Sequence, residues 1–280
     1  MQKKNKIFGK VGIMLLIAGM TFNASSAFAQ LQWSGVKKFT KSEDITQDIT
    51  LTGQVSLILD PDVTVNFKGA IHGAAKYNMS VSVSKATGGC RVYLYGKTTF
   101  TGTLDIYTRC DVWVKSASPL TANVKVNGTG QIIFDQTGNQ TYGGIISGFG
   151  DVRKLGKNTL TLTKSSTHTG NVYIEGGTLA LGTSGNIATS VCITMSANTT
   201  LDISATSKLI KGLQSEHATA SVILGDRILT VSNPKDCTFA GVISGKGGIA
   251  KKSNGTLYLT GKNTYTGATQ IFTGKILYKK

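Results

Sequence analysis

Residues 238–267 read TFAGVISGKGGIAKKSNGTLYLTGKNTYTG, and this order of residues recurs earlier in the chain. At a constant offset of 97, residues 142–181 align with residues 239–278 without a gap, so that GIISG at 144–148 falls on GVISG at 241–245. A more divergent third copy lies near residues 67–107. Repetition of this kind indicates a solenoid, a propeller or an array, in which each unit buries its apolar face against its neighbours.

Short runs of alternating apolar and polar residues fill each copy, which is the pattern of β-strands with one buried face. They lie at residues 159–162, 172–174, 178–181, 200–203 and 227–231, and Gly or Asn residues separate them. The 280 residues include 34 Gly but only 3 Pro, and only 16% are charged, which excludes a coiled coil and a charge-rich disordered chain. We therefore predict an all-β fold, a parallel β-helix whose inward side chains stack from coil to coil.

The repeat resembles the autotransporter-associated β-strand repeat, whose pattern runs FxGxISGxGGLxKxGxGTLTLSGxNTYTG. The resemblance covers roughly residues 67–278 and is strongest in about the last 140 residues. It implies a right-handed parallel β-helix of the passenger type, displayed on or released from the cell surface, and it implies no catalytic residue. The family's C-terminal translocator barrel is missing from the sequence, so we expect either another export route or a shortened relative.

The spacing of the strands sets the expected organisation. At about 20 residues per coil, the chain predicts about ten coils. Residues 67–280 are expected to form the β-helix, with copies of the repeat near residues 67–107, 142–181 and 239–278. Residues 30–66 are less repetitive and are expected to form an N-terminal cap and the first strands. Residues 275–278 are still strand-like, so we expect an exposed last edge, which implies either self-association through that edge or a missing downstream segment.

Residues 1–29 have the organisation of a secretory signal peptide. Four lysines, at positions 3, 4, 6 and 10, precede an apolar stretch at residues 11–20. Ala27, Phe28 and Ala29 supply a small-x-small cleavage site. The apolar stretch has about half of the ~20 residues that a transmembrane helix needs, which argues against a membrane anchor. We expect an exported protein at the cell surface, in the outer membrane or outside the cell.

The formal net charge is +16, which suits an anionic polysaccharide, an acidic membrane face or nucleic acid. The lysines are scattered, without the basic runs and interleaved aromatic residues that are typical of nucleic-acid binding, so we predict no nucleic-acid partner. The simplest interpretation is a solvated basic surface. Its members are Lys37, Lys38, Lys85, Lys97, Lys154, Lys157, Lys251, Lys252 and Lys262.

Four cysteines, Cys90, Cys110, Cys192 and Cys237, allow three disulfide pairings in an exported chain. Cys90 and Cys110 are 20 residues apart, so stacking on adjacent coils would suit a disulfide. Cys192 and Cys237 would need an excursion loop to meet, for which residues 207–216 are the candidate. The three histidines are isolated and no C-x-x-C occurs, so neither a metal site nor a cofactor is expected.

Parallel β-helices also serve as polysaccharide lyases and glycosidases, in which clustered carboxylates and basic residues act on the sugar. The candidates are Asp60 and Asp62, or Asp105 and Asp111 near Arg109. Residues 60–62 are more simply a turn around a proline, and nothing in the sequence places Asp105 and Asp111 on one face. We therefore predict that the chain is not an enzyme, and we keep a carbohydrate-active β-helix as the alternative.

The aromatic side chains have two interpretations. They could stack on sugar rings, but ladders of stacked rings in the wall of a solenoid are the commoner arrangement. The residues concerned are Trp33, Tyr93, Tyr95, Tyr107, Trp113, Tyr258 and Tyr265. We predict an adhesin-like scaffold, on the cell surface or secreted, that acts by display and binding. Its expected partner is a polysaccharide or a protein, either on a host surface or in the extracellular space. A non-functional remnant of a longer passenger is the third possibility.

Overall fold

A computed structural model describes residues 30–278 of the chain, so the signal peptide expected at residues 1–29 lies outside the described residues. The described chain forms 29 β-strands and no helix. No helix in residues 30–278 therefore has the length and apolar character that a membrane crossing requires. The all-β prediction is confirmed.

The strands belong to five sheets. The seven-stranded sheet contains β1 (Leu31–Phe39), β3 (Ile49–Leu59), β5 (Ile71–Gly73), β6 (Met79–Val83), β8 (Thr103–Ile106), β10 (Asn123–Val126) and β13 (Ile146–Gly148). The nine-stranded sheet contains β2 (Glu43–Ile45), β4 (Thr64–Phe67), β7 (Cys90–Leu94), β9 (Cys110–Val114), β11 (Gln131–Phe134), β14 (Asp151–Lys154), β16 (Val172–Ile174), β18 (Ile193–Met195) and β21 (Leu213–Gln214).

Three smaller sheets complete the fold. The six-stranded sheet contains β12 (Gln140–Tyr142), β15 (Thr159–Leu162), β17 (Thr178–Leu181), β19 (Thr200–Asp202), β22 (Ser221–Ile223) and β25 (Val242–Ser244). The four-stranded sheet contains β20 (Lys208–Ile210), β23 (Ile228–Val231), β26 (Gly248–Lys251) and β28 (Thr269–Ile271). The three-stranded sheet contains β24 (Cys237–Phe239), β27 (Thr256–Leu259) and β29 (Lys275–Tyr278).

The strands wind into a β-solenoid, because each strand pairs in parallel with a strand of the next coil rather than with its neighbour in sequence. The nine-stranded sheet continues into the three-stranded sheet through the bridge between Ser215 and Phe239, and this side of the solenoid counts about 12 turns. The sequence predicted about ten. Residues 31–67 also wind into the solenoid, with β1 paired to β3 and β2 paired to β4. The right-handed sense of the winding stays a prediction.

A single apolar core runs along the inside of the solenoid. Side chains alternate between the core and the outer surface, as the period of two in a β-strand requires. Eight consecutive strands of the nine-stranded sheet place one aliphatic residue at the same register position, and all eight are buried. They are Val65, Val92, Val112, Ile132, Val152, Val172, Ile193 and Leu213.

The solvated interpretation of the lysines is wrong for Lys37, Lys154 and Lys251, which are buried. The Lys154 ammonium donates to the carbonyl oxygens of Gly156 at 2.9 Å and of Gly176, on the next coil, at 3.0 Å. The Lys251 ammonium, at the equivalent position of the other copy, donates to two carbonyl oxygens of its own turn, each at 2.6 Å. These ammonium groups satisfy carbonyls that the tight corners of the coil leave without strand partners. Burial lowers the pKa of Lys154 to about 8.

Candidate ligand-binding face

Five consecutive strands of the nine-stranded sheet carry a strip of large side chains on the outer surface of the solenoid, and four of the five in its central column are planar. We call it the outer strip: its central column consists of the outward residues that pair in register on β7, β9, β11, β14 and β16. These residues are Tyr93, Trp113, Ile133, Arg153 and Tyr173. They point outward because the neighbouring positions on the same strands supply the core.

The aromatic rings of the outer strip stack on one another. The ring centroids of Tyr93 and Trp113 lie 5.5 Å apart, and those of Tyr93 and Tyr95 lie 6.0 Å apart. This is the ladder that the sequence favoured for Tyr93, Tyr95 and Trp113. The ladder is not fully enclosed, since 45% of the Tyr95 surface remains exposed. It can therefore both stiffen the wall and offer an aromatic surface to a ligand.

Ile133 shows how tightly the outer strip is packed. It points away from the core and is not a member of the core cluster, yet only 1% of its surface is exposed. Its register neighbours, Trp113 and Arg153, flank it on the two adjacent strands. The Trp113 Nε1–H is also buried and has no hydrogen-bond acceptor among residues 30–278.

The guanidinium of Arg153 is held in a fixed orientation. Nε donates to Glu175 Oε2 at 3.0 Å, Nη2 donates to the other carboxylate oxygen of Glu175, and Nη1 donates to Gln131 Oε1 at 3.2 Å. Its central carbon lies 5.4 Å from the centroid of the Tyr173 ring. The hydrogen bonds with Glu175 raise the pKa of Arg153. The planar guanidinium thus continues the aromatic column as a rigid flat group.

A second ion pair borders the strip. Lys115 Nζ donates to Asp135 Oδ2 at 2.6 Å and lies 5.4 Å from the centroid of the Trp113 ring. The hydrogen bond with Asp135 raises the pKa of Lys115. Because each of these cations is paired with a carboxylate, the strip is polar without carrying a strong field of one sign.

The other border is a column of hydrogen-bonding side chains: Arg91, Asp111, Gln131 and Asp151 occupy one register position on four successive strands. Burial raises the pKa of Asp111, and the positive charges of Arg91 and Arg153 oppose this. Asp151 Oδ1 accepts a hydrogen bond at 2.8 Å from the backbone N–H of Asn171 on the next coil. This bond holds the Asp151 side chain in place.

Of the carboxylates that the sequence singled out for catalysis, one pair lies in a turn and the other pair is divided between two sheets. Asp60 begins a turn in which the Val63 N–H donates to its carbonyl, and Asp62 has a left-handed φ of 63°. Asp105 lies on β8 of the seven-stranded sheet, whereas Asp111 lies on β9 of the nine-stranded sheet. Arg109 occupies the turn between them. The Asp105 and Asp111 pair therefore does not form one site, and Asp111 instead belongs to the outer strip.

The four cysteines fall into two different situations. Cys90 and Cys110 pair in register on β7 and β9, with their sulfur atoms 2.8 Å apart. Cys192 and Cys237 are separated by β21, and both line a cavity of about 310 Å³ beside Gly212. The excursion loop expected at residues 207–216 is wrong, because this segment contains β20 and β21 of a regular coil. Disulfide pairing itself stays a prediction for both pairs.

The histidines form no metal centre with their surroundings: in residues 30–278, no three His, Cys, Asp or Glu side chains are grouped to hold a metal ion. His168 Nε2 lies 2.9 Å from Ser190 Oγ, but His168 is fully buried and Ser190 nearly so. A catalytic role for this pair would require a substrate to enter the core. Burial lowers the pKa of His168 to about 4, so its ring is neutral at pH 7.

The other aromatic residues lie away from the outer strip. Trp33 packs in the core against Phe67, with ring centroids 5.9 Å apart. Tyr107 lies at a corner with 49% of its surface exposed. Tyr258 is half-buried on β27, and the hydroxyl of Tyr265 lies 2.7 Å from Thr269 Oγ1.

Sequence reasoning named Tyr93, Tyr95 and Trp113 but missed the rest of the strip. The members of the central column follow one another at intervals of 20 residues, which is also the interval between Cys90 and Cys110. Ile133, Arg153 and Tyr173 could have been found by continuing that interval from Trp113. No sequence motif identifies these positions, because an aromatic, an aliphatic and a cationic residue share no common chemistry.

Comparison with known proteins agrees with the fold and the repeat. The family described as passenger-associated-transport-repeat matches residues 152–181 and 249–274, which lie within the two clear copies. The chain is also similar to the adhesin BmaC autotransporter of Brucella suis biovar 1 (strain 1330), with 33% identity over 150 residues. The match covers 51% of this chain and 4% of that relative. No solved structure matches the chain significantly. Two segments of the chain therefore match the passenger-associated-transport-repeat, and they lie within a parallel β-solenoid.

Proposed function

We propose that the protein is an exported, adhesin-type passenger that acts by display and binding, and that its outer strip binds an extracellular polysaccharide. The passenger repeat and the relative named as an adhesin support export to the cell surface or the extracellular space. The rigid stacking of about 12 turns suits a scaffold that holds a surface away from its attachment point.

The observation that carries the proposal is the combination of flat side chains with balanced charge in the outer strip. Stacked rings and a fixed guanidinium run across five coils, and three cationic side chains accompany four anionic ones. A strip with this balance does not favour a polyanion, although the whole chain carries +16. Sugar rings offer C–H faces to aromatic rings and hydroxyl groups to carboxylates and amides.

The test is a binding measurement on immobilised neutral and acidic polysaccharides and on extracellular-matrix proteins, with the purified full chain and its variants. We expect saturable binding to a neutral polysaccharide. Trp113→Ala should weaken it roughly 10-fold or more, because a central aromatic residue of an interface contributes about 1–2 kcal/mol or more. Tyr95→Ala should weaken it several-fold without unfolding the protein, since its ring is largely exposed.

Tyr107→Ala is the matched control, because Tyr107 has a ring of similar exposure outside the outer strip. Equal weakening by Tyr95→Ala and Tyr107→Ala would contradict the assignment of binding to the strip. If the chain binds only to a protein, and the strip variants lose that binding, the outer strip is still the binding site but its ligand is a protein instead of a polysaccharide.

One observation favours a carbohydrate-active enzyme as the second candidate. Asp111 and Asp151 share a register position with one strand between them, which places their backbones about 10 Å apart on the outer surface. Inverting glycosidases hold two carboxyl groups about 6.5–9.5 Å apart, and one of them has a raised pKa. Burial raises the pKa of Asp111. Release of new sugar ends from a bound polysaccharide, abolished by Asp111→Asn, would establish this alternative; binding without release would support the adhesin.

A further inference from the structure

We propose that Cys90 and Cys110 form a disulfide that joins two adjacent coils, and that it forms before these coils close around the two thiols. The first part rests on register and the second on burial. The cross-link is independent of whatever ligand the outer strip binds.

The register of β7 and β9 places the two cysteines directly opposite each other. The Cys90 backbone N–H donates to the carbonyl of Arg109 at 3.0 Å, which anchors the start of the pairing beside Cys110. Neighbouring strands lie about 4.8 Å apart, within the range of Cα separations that a disulfide spans. Both side chains point inward from the same register position, so their sulfur atoms meet without a change in the backbone.

The second pair of cysteines lacks this arrangement and serves as an internal comparison. Ile193, next to Cys192, pairs with Leu213, and the bridge between Ser215 and Phe239 then aligns Leu213 with Cys237. Cys192 and Cys237 thus lie two coils apart and one position out of register. Two strand intervals of about 4.8 Å exceed the separation that a disulfide tolerates. The register therefore allows a cross-link between Cys90 and Cys110 and does not allow one between Cys192 and Cys237.

Burial decides when the bond forms. Only 2% of Cys90 and none of Cys110 is exposed. Contact with the Cys90 thiol and burial both raise the pKa of the Cys110 thiol, so the thiolate needed for exchange is scarce in the folded chain. An oxidant cannot reach either sulfur once the neighbouring coils are in place. Oxidation therefore belongs to the unfolded or partly wound chain.

The chemistry is thiol–disulfide exchange with a disulfide-bearing oxidant, either a small molecule or an oxidoreductase. One cysteine thiolate attacks a sulfur of the oxidant, forming a mixed disulfide and releasing the first oxidant thiolate. The second cysteine thiolate then attacks the mixed disulfide, forming the Cys90–Cys110 bond and releasing the second oxidant thiolate. The protein loses two electrons and two thiol protons, and the oxidant becomes a dithiol or two thiols.

The experiment compares oxidation before and after folding. The purified full chain is reduced, unfolded, and refolded with glutathione and its disulfide; the bond is detected by intact mass and by mapping of unreduced peptides. We expect the loss of two hydrogen atoms, a single Cys90–Cys110 link, and the same result in the Cys192→Ser/Cys237→Ser variant. The thermal unfolding midpoint should rise by about 5–10 °C relative to the reduced protein.

Three outcomes would overturn the proposal, two for the pairing and one for the order of events. The pairing would be rejected if Cys90 and Cys110 stayed free after oxidative refolding of the Cys192→Ser/Cys237→Ser variant. It would also be rejected if the peptide map of the natural chain were dominated by links to Cys192 or Cys237. The order of events is tested by adding the same glutathione buffer to reduced, folded protein, where oxidation should be about 100-fold slower or more than in the unfolded chain. Equal rates would reject formation before closure.

Discussion

The burial of His168 predicts a specific loss of stability in acid. The ring lies fully inside the solenoid, Nε2 lies 2.9 Å from Ser190 Oγ, and Nδ1 has no hydrogen-bond partner among the described residues. Burial lowers its pKa from 6.5 to about 4, and the charge of Asp151 opposes this only in part. Between these two values the unfolded chain binds a proton that the folded chain excludes.

The sign and size of the effect follow from this difference. Because the unfolded state binds more protons, the free energy of unfolding increases with pH in this window. The contribution of neutral His168 to it is lost as the pH falls from about 6.5 to about 4. At about 1.4 kcal/mol for each pKa unit, the full loss is about 3 kcal/mol. The contribution is fully present above the pKa of His168 in the unfolded chain, and it is absent below the pKa of His168 in the folded chain.

The measurement is urea-induced unfolding, followed by circular dichroism and tryptophan fluorescence, at several values between about pH 7 and about pH 4. His168→Gln keeps a neutral hydrogen-bonding group beside Ser190 but does not titrate, so its stability should fall by about 3 kcal/mol less than that of the natural protein over this window. His217→Gln is the control, because His217 is exposed and the substitution removes a histidine without changing the core. Parallel profiles for the natural protein and His168→Gln would refute the reasoning.

Two further predictions concern the corners of the coils. Gly148→Ala should lower the free energy of unfolding by about 2 kcal/mol or more, since Gly148 has a φ of 93° and an added Cβ would lie 2.0 Å from the Val126 carbonyl oxygen; Gly138→Ala, where the nearest atom would be 3.9 Å away, should change it little in the same urea titration. Lys154→Met should cost about 1–3 kcal/mol because it leaves inward-facing carbonyl oxygens without their donor, whereas Lys157→Met, at an exposed position, should stay within about 0.5 kcal/mol. Equal effects of the two lysine substitutions would show that the buried ammonium contributes nothing to the corner.

The local features of the fold could be predicted because they depend on short-range physics. Alternation in segments such as residues 159–162 places Leu160 and Leu162 in the core, and the structure forms β15 there. The stacking of Tyr93 on Trp113 agrees with the aromatic ladders that the sequence favoured, but the sequence did not say which rings would stack. Lysine burial could not be predicted, because Lys154 and Lys157 are three residues apart on one corner and only the first meets inward-facing carbonyls.

The position of each repeat copy around the solenoid was likewise beyond the sequence. Lys154 lies on β14 of the nine-stranded sheet, but its counterpart Lys251 lies on β26 of the four-stranded sheet. The distance along the chain between paired residues varies from 18, between Leu31 and Ile49, to 27, between Thr64 and Arg91. These differences add up from coil to coil, so an offset of 97 residues does not return a copy to the same sheet.

By itself, the sequence determined that this protein is an all-β repeat protein with parallel strands and inward stacking, because alternation, glycine-rich turns and a recurring spacing act within one coil or between neighbouring coils. Only the tertiary structure decided which side chains share the outer strip, which lysines lie inside, and which cysteines meet. Those outcomes depend on the summed lengths of all preceding coils and on the carbonyls and rings that close packing brings together. No single segment of the chain contains that information.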